Sequence, residues 1–471
     1  MKKCRLLPLL LALCMLISVL SLPVCAVDDT AAEPSAEASQ AASEPFTVDA
    51  KAAMLVDLNT GRVIYEQNPD ERVYPASLTK IMTCLLVLED GNLSDTVTVD
   101  ESAFHDIDGS SSTAGLLVGE QLSVENLLYC MMLMSGNEAS NVAAEYIAGS
   151  IPDFVRMMNE RAYELGCENT HFCNPHGLHD DDHYTTARDM VRIAQAALKS
   201  ETFKQITNTA TYIMPATNLS AERELTTTNQ LIRDDTSNGF YYSKAAGIKT
   251  GYTSQAGRCL VSTAKSDGMY FLSVVCGAPT EVAESGDVIM RSFPETIRLF
   301  QYGFENFAYV TALSPLYPVT QIAINNSAGS EYVALAPKDE IRILLPKNYD
   351  PALLETKLTL DAGAVDAPVA AGSSHGTAEV LFNGESYATT DLVAITDVAK
   401  SEIAAAGAST ASYIQHNWWK WLVVLIVLAV AAFLVLLVLL AIRRKRQREK
   451  WLELRRRKLD RMDRGDYDRE E

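Results

Sequence analysis

Tyr74-Pro-Ala-Ser-Leu-Thr-Lys80, followed by Ile81-Met-Thr-Cys-Leu-Leu-Val-Leu88, is the stretch from which the rest of the chain is read. Pro75 and Ser77 mark a helix start, and the apolar residues beyond Lys80 recur at helical spacing. Residues three apart share a helix face, so the Ser77 hydroxyl and the Lys80 amine are expected to meet. A serine hydroxyl needs a nearby base to act as a nucleophile at neutral pH. A lysine half buried beside other cations loses its proton readily and can be that base. Free N–H groups and the positive dipole end at a helix start suit a developing oxyanion. Alone, Ser-x-x-Lys is common, and its ordinary meaning is a helix cap beside a solvated lysine.

Upstream, Lys2, Lys3 and Arg5 precede an apolar run from Leu6 to Leu22, and Val24-Cys-Ala26 offers small residues for cleavage. Residues 1–26 therefore read as a secretory signal peptide; Pro23-Val24 before Cys25 make a poor lipobox. Residues 27–45, rich in Ala, Ser, Glu and Pro, form a flexible spacer with little to bury. Ala52–Leu58, a turn at Asn59-Thr-Gly61 and Arg62–Glu66 predict a β-hairpin ahead of the Ser77 helix. Thr96–Val99 reads as a short strand.

Downstream, Ser123 opens an apolar helix, Leu127–Met134, that runs into Ser135-Gly-Asn137. Helices follow over Asn141–Ala148, Ile151–Leu165 and from Thr186 to about Leu198. Ala246–Gly251, Arg258–Ala264 and Met269–Cys276 predict strands, the last two as a buried antiparallel pair. Glu284 to about Phe307 reads as helix interrupted by Pro294. Short Val, Ile and Leu runs between Asn, Gly, Pro and Asp turns predict a small all-β domain over 310–400, with Gly372–Gly376 as a loop inside it. After a linker, 401–420, the apolar run Trp421–Ile442 is long enough to span a bilayer. Trp418, Trp419 and Trp421 sit at one interface and Arg443-Arg-Lys-Arg446 at the other, so the basic tail 443–471 is expected inside and the bulk of the chain outside, a type I arrangement at the cell membrane.

The formal charge is −20. The tail carries 13 basic and 8 acidic residues and the first 26 residues carry three basic ones, which leaves −28 for the part between. A domain that acidic is no nucleic-acid binder. Of nine cysteines, Cys4, Cys14 and Cys25 fall in the signal peptide. Cys84 and Cys130 lie on apolar helix faces and read as packing residues. Cys259 and Cys276 flank a turn at Ser266-Asp-Gly268 and can lie on neighbouring strands; pairing is left open.

Ser77-x-x-Lys80, Ser135-Gly-Asn137 and Lys249-Thr-Gly251 occur in that order, the first two in helical sequence and the third on a strand. The set resembles the serine penicillin-recognising enzymes. Asn174-Pro-His-Gly-Leu178, His183-Tyr-Thr-Thr-Ala-Arg-Asp189 and Gly247-Ile-Lys-Thr-Gly-Tyr-Thr253 narrow the resemblance to the D-alanyl-D-alanine carboxypeptidases. It is dense over residues 46–310 and rests on position and character to about 400. The fold it implies is α/β of the α+β kind: a β-lactamase/transpeptidase-like domain over 46–309, with an antiparallel sheet and a helical subdomain, then the all-β domain and the membrane helix.

The resemblance also implies roles. Ser77 attacks the carbonyl of a terminal D-Ala-D-Ala bond, Lys80 takes its proton, Ser135 relays a proton to the leaving amine, and Asn137 holds the substrate amide. Lys249 and Thr250 bind the terminal carboxylate, Gly251 allows close approach, and the N–H groups of Ser77 and Tyr252 form the oxyanion hole. The partners implied are the peptidoglycan stem peptide and β-lactam antibiotics, with no cofactor. The cluster His171, His176, His179, His183, Cys173 and Asp180–Asp182 has metal-ligand chemistry, but serine acylation needs no metal, and none is expected. Many relatives carry an arginine after the hairpin that follows the Lys-Thr-Gly strand. Gly277-Ala-Pro-Thr280 has none, which shifts carboxylate recognition to Lys249 or Arg258. Two other readings compete. A β-lactamase of class A needs a Glu-x-x-Leu-Asn loop, for which Glu222-Arg-Glu-Leu225 followed by Thr226 is the nearest match. A catalytically inactive sensor is the other, and the intact motifs speak against it.

Overall fold

The computed structural model describes residues 46–234, 239–282 and 288–463. The segments read as signal peptide and spacer, 1–45, lie outside the described residues. A five-stranded antiparallel sheet runs in the order Val63–Gln67, Ala52–Asp57, Met269–Ala278, Gly257–Ser266, Ala245–Thr253. The first hairpin thus borders the two long strands from late in the chain, with Ala52 opposite Cys276 and Asp57 opposite Phe271. Gly257–Ser266 and Met269–Ala278 are buried almost throughout, which is why they read as continuous apolar runs.

One face of the sheet carries Ser292–Asn306, whose Phe304 packs against Phe271 and against Phe300 of the same helix. Helix was expected from Glu284. Instead Val288–Met290 is a short strand paired with Thr280–Val282, and 283–287 lie outside the described residues. Pro294 does not break the helix, because it lies in the first turn, where a backbone N–H has no intrahelical partner.

The other face carries the helical region. Lys80–Asp90 is buried along nearly its whole length, as its apolar sequence requires. Around it lie Val124–Leu133, Asn137–Ala148, Ile151–Glu164 and Ala187–Ala197. Ser123, Ser150 and Thr186 cap three of these helices, each accepting a backbone N–H three residues on. A short helix, Glu201–Thr207, capped by Ser200, was not read from the sequence.

From Phe307 to Ala394 the regular structure is strand, apart from a 3-10 turn at Pro351–Leu353. Phe307–Leu313 pairs with Ile341–Pro346, and six further strands form one sheet around Ile322, Leu335, Val380 and Leu392. Ser374–Phe382 begins within the stretch read as a loop, so His375 and Gly376 are sheet residues. Tyr309 ties this region to the first hairpin: its hydroxyl donates to Asp57 Oδ2 (2.8 Å) and accepts from Asn59 Nδ2 (2.9 Å). Glu402–Asp463 is one continuous helix, so the stretch 401–420, read as a linker, is helical from Glu402 onward. It contains an apolar core long enough to cross a membrane.

Candidate active site

The chain enters the site through Pro75 and a tight 3-10 turn, Ala76–Thr79, that feeds directly into Lys80–Asp90. Ala76 has φ +48°, a conformation L-residues resist, and it presents Ser77 at the helix mouth. Two glycines make room for this turn. A Cβ on Gly177 would stand 1.8 Å from the Ala76 carbonyl oxygen, and one on Gly251 would stand 3.1 Å from Ser77 N. The Lys-Thr-Gly strand therefore runs against the Ser77 backbone, one residue before Tyr252.

Lys80 is fully buried. Its Nζ lies 3.0 Å from Ser77 Oγ, 2.7 Å from Asn137 Oδ1 and 2.8 Å from the His176 carbonyl. The amide oxygen of Asn137 and the His176 carbonyl accept from Nζ, which fixes the amine beside the Ser77 hydroxyl. Burial, then the positive charge of Lys249, holds the Lys80 amine well below its ordinary range, and Glu138 acts weakly in the opposite sense. Lys249 is also buried, and burial brings its amine down to about 7.

Ser135 joins two helices at φ +60°, and Gly136 caps the second, which Asn137 begins. That turn aims Ser135 and Asn137 into a cavity of about 840 Å³, which Ser77, Thr250, Gly251 and Tyr252 also line. The structure thus gathers the side chains of all three motifs, with Lys80 and Lys249 buried among them. Arg258 lines the same cavity; its guanidinium lies 3.8 Å over the Tyr252 ring, and its Nε donates to Thr280 Oγ1 (3.0 Å). Glu222 is exposed and outside that cavity, and Arg223–Thr226 is a strand.

Several residues that support the site were not singled out in the sequence. Thr228 Oγ1 is 2.6 Å from Thr250 Oγ1 at the cavity wall. Asn229 donates to the Gly247 carbonyl (2.7 Å) and pins the start of the Lys-Thr-Gly strand. Glu138, buried beside Asn137, accepts the Ala114 N–H (2.6 Å) and fixes the loop across the cavity. Its place directly after Ser-Gly-Asn is the one sequence signal that marks it.

The histidine loop braces the turn from behind. Thr79 Oγ1 donates to the Ala76 carbonyl and lies 2.8 Å from His183 Nε2, while Cys173 N donates to His183 Nδ1 (3.1 Å). An acceptor at Nδ1 puts the proton on Nε2. Burial lowers His183 to about 4 and His176 well below its usual value. Thr83 Oγ1 donates to the Pro175 carbonyl (2.6 Å). Among the described residues no group of three or more His, Cys, Asp or Glu side chains gathers to hold a metal ion.

A half-buried serine held against a fully buried lysine at the edge of an antiparallel sheet, with helices on one side and a Lys-Thr-Gly strand facing it, defines a serine hydrolase of the penicillin-recognising class. The chain belongs to the D-alanyl-D-alanine carboxypeptidase family, whose model matches residues 38–280. A second model, the C-terminal domain of penicillin-binding protein 5, matches 318–400. The chain is 32% identical to D-alanyl-D-alanine carboxypeptidase DacF of Bacillus subtilis over 361 residues, 75% of this chain and 87% of that protein. It is 32% identical to DacC of Escherichia coli over 384 residues, 78% of this chain and 88% of that protein. The structure of penicillin-binding protein 5 from Haemophilus influenzae, 31% identical, superposes with a TM-score of 0.56 over 76% of this chain and 99% of that one.

Proposed function

We propose that the chain removes the terminal D-alanine from peptidoglycan stem peptides through an acyl-enzyme on Ser77, and that β-lactams acylate the same hydroxyl. The observation that carries this is Lys80: a fully buried amine, 3.0 Å from Ser77 Oγ, whose hydrogen-bond partners are all uncharged. Burial and the nearby Lys249 charge favour the neutral form of this amine, which can take the serine proton as Oγ attacks the penultimate D-Ala carbonyl. The N–H groups of Ser77 and Tyr252 receive the oxyanion. Asn137 holds the substrate amide, and Ser135 passes a proton to the leaving D-alanine. Lys249 and Thr250 bind the terminal carboxylate, with Thr228 behind Thr250 and Arg258 at the rim. Water then releases the shortened peptide.

The working division is a signal peptide (1–26), a spacer (27–45), a catalytic domain (46–309), an all-β domain (310–400), a junction (401–420), a membrane span (421–442) and a cytoplasmic tail (443–471), with catalysis outside. The test is mass spectrometry after incubation with penicillin and with a peptide ending in D-Ala-D-Ala. The expected result is a stable adduct on the Ser77 peptide and release of D-alanine, both lost in Ser77→Ala. Rapid penicillin turnover would make it a β-lactamase. An adduct without D-alanine release would make it a sensor.

A further inference from the structure

The strands Gly257–Ser266 and Met269–Ala278 bring two cysteines face to face. Val261 pairs with Val274 and Leu260 with Val275, so the chain continues on each strand to Cys259 and Cys276, neighbours at the point where the register shifts. The register then slips, Arg258 pairing with Ala278, and Gly277, at φ +73°, absorbs the extra residue. Side chains alternate along a strand, so Cys259 shares a face with Val261 and Cys276 with Val274. All four belong to the core beneath the helical region, whereas Leu260 packs in a separate cluster on the other face. The two thiols therefore share one core beside the register shift. Neither is exposed by more than 1%.

The two thiols are in hydrogen-bond contact. The Cys276 thiol, with help from the Gly277 N–H, holds Cys259 below its ordinary value, whereas Cys276 is raised by the same contact and by burial. Cys259 Sγ also lies 3.8 Å from the Tyr74 carbonyl, under the entry to the Ser77 turn, and opposite Gly251 of the Lys-Thr-Gly strand.

We propose that Cys259 and Cys276 are an oxidisable pair that closes to an intramolecular disulfide bracing the sheet beneath the active site. The oxidant is a disulfide-bearing donor, small or protein, acting as the sheet forms and before both sulfurs are sealed. The Cys259 thiolate attacks one donor sulfur and expels the other as a thiolate. Cys276 then loses its proton and attacks the Cys259 sulfur of the mixed disulfide, releasing the second donor thiol. Two cysteine thiols are oxidised and one donor disulfide is reduced to two thiols. Closure in the cell rests on the extracytoplasmic placement proposed above, because thiols stay reduced inside; the pairing itself does not.

The experiment has two arms. The full chain, exported by a host with disulfide-forming machinery and purified in detergent, is denatured in iodoacetamide with or without prior reduction and mapped as peptides. Separately, reduced protein is held in mild denaturant with oxidised glutathione and mapped in the same way. The expected product is a Cys259–Cys276 linked peptide in both arms, absent after reduction, with Cys84 and Cys130 alkylated throughout. Oxidation is expected to raise the Tm by about 6–12 °C over the reduced form, and Cys276→Ser is expected to abolish that difference. Linkage with glutathione alone supports the pair and counts against the placement. Free alkylation of both cysteines in both arms overturns the proposal.

Discussion

Gly177 and Ala76 meet so closely that a single added methyl on Gly177 would stand 1.8 Å from the Ala76 carbonyl oxygen. The Asn174–Leu178 loop is thus moulded to the turn that presents Ser77, and it also supplies the His176 carbonyl to Lys80.

Gly177→Ala is therefore expected to disturb the proposed nucleophile, Ser77, through the Ala76 backbone. Gly177 has φ +88°, and the atom it would strike is backbone, which cannot swing aside. A displacement of about 1 Å at a nucleophile costs on the order of 100-fold in rate. We expect penicillin acylation to fall by about that factor or more, with a stability loss of roughly 2 kcal/mol or more. Stopped-flow acylation and thermal melts measure both; a wild-type rate would show that the loop does not hold the turn.

Lys249 sets a second expectation. In the free enzyme its amine titrates near 7, against an ordinary value of 10.5. Below about pH 7 it is charged and can bind a carboxylate; above it that attraction fades. The KM for a peptide ending in D-Ala-D-Ala is expected to rise as pH climbs past 7, while a substrate amidated at that carboxyl shows no such rise. The stability sign follows from proton counts. Between about 7 and 10.5 the unfolded chain binds the proton that the folded one has lost, so Lys249 contributes increasing stability as pH rises through that window. A flat KM for the free acid from pH 6 to 9 would remove Lys249 from carboxylate binding.

How much of this was legible in the sequence depends on the distance over which each feature is encoded. Ser77 and Lys80 were readable as a pair because three residues of helix bring them together. The alternation and turn chemistry of Arg258–Cys276 fixed a hairpin. Glu138, Thr228 and Asn229 were not readable, since each matters through a contact with a residue remote in the chain. The helix Glu201–Thr207 is too short for a period to show, and Val288–Met290 is a strand only because Thr280–Val282 lies beside it. Pro294 was misjudged for a local reason: its meaning depends on whether it opens a helix or interrupts one.

Glu138→Gln tests the electrostatics of Lys80, the proposed base. Its Oε1 accepts from Ala114 N, a bond that a glutamine carbonyl can keep. What is lost is the one charge that pulls the Lys80 amine upward. The acid limb of the acylation profile is therefore expected to move to lower pH, leaving acylation faster at acid pH and little changed above neutrality. A shift to higher pH would mean that another group sets that limb.

The membrane segment yields the last expectation. Glu402–Asp463 is continuous helix, about 93 Å at roughly 1.5 Å per residue, three times the thickness of a bilayer core. The apolar run 421–442 accounts for about 33 Å of it. Trp418, Trp419 and Trp421 flank one end, and the basic cluster that begins at Arg443 lies only at the other. Basic clusters stay on the cytoplasmic side, so the helix is expected to continue about 30 Å past Arg443 into the cytoplasm. A chain ending at Lys400 lacks the helix but keeps Ser77, Lys80, Ser135, Asn137 and Lys249, and is expected to be soluble and to release D-alanine at the full-length rate. Protease added to sealed protoplasts is expected to remove the catalytic domain and spare a tag placed after Glu471. Loss of that tag while the protoplasts remain sealed would reverse the assigned orientation.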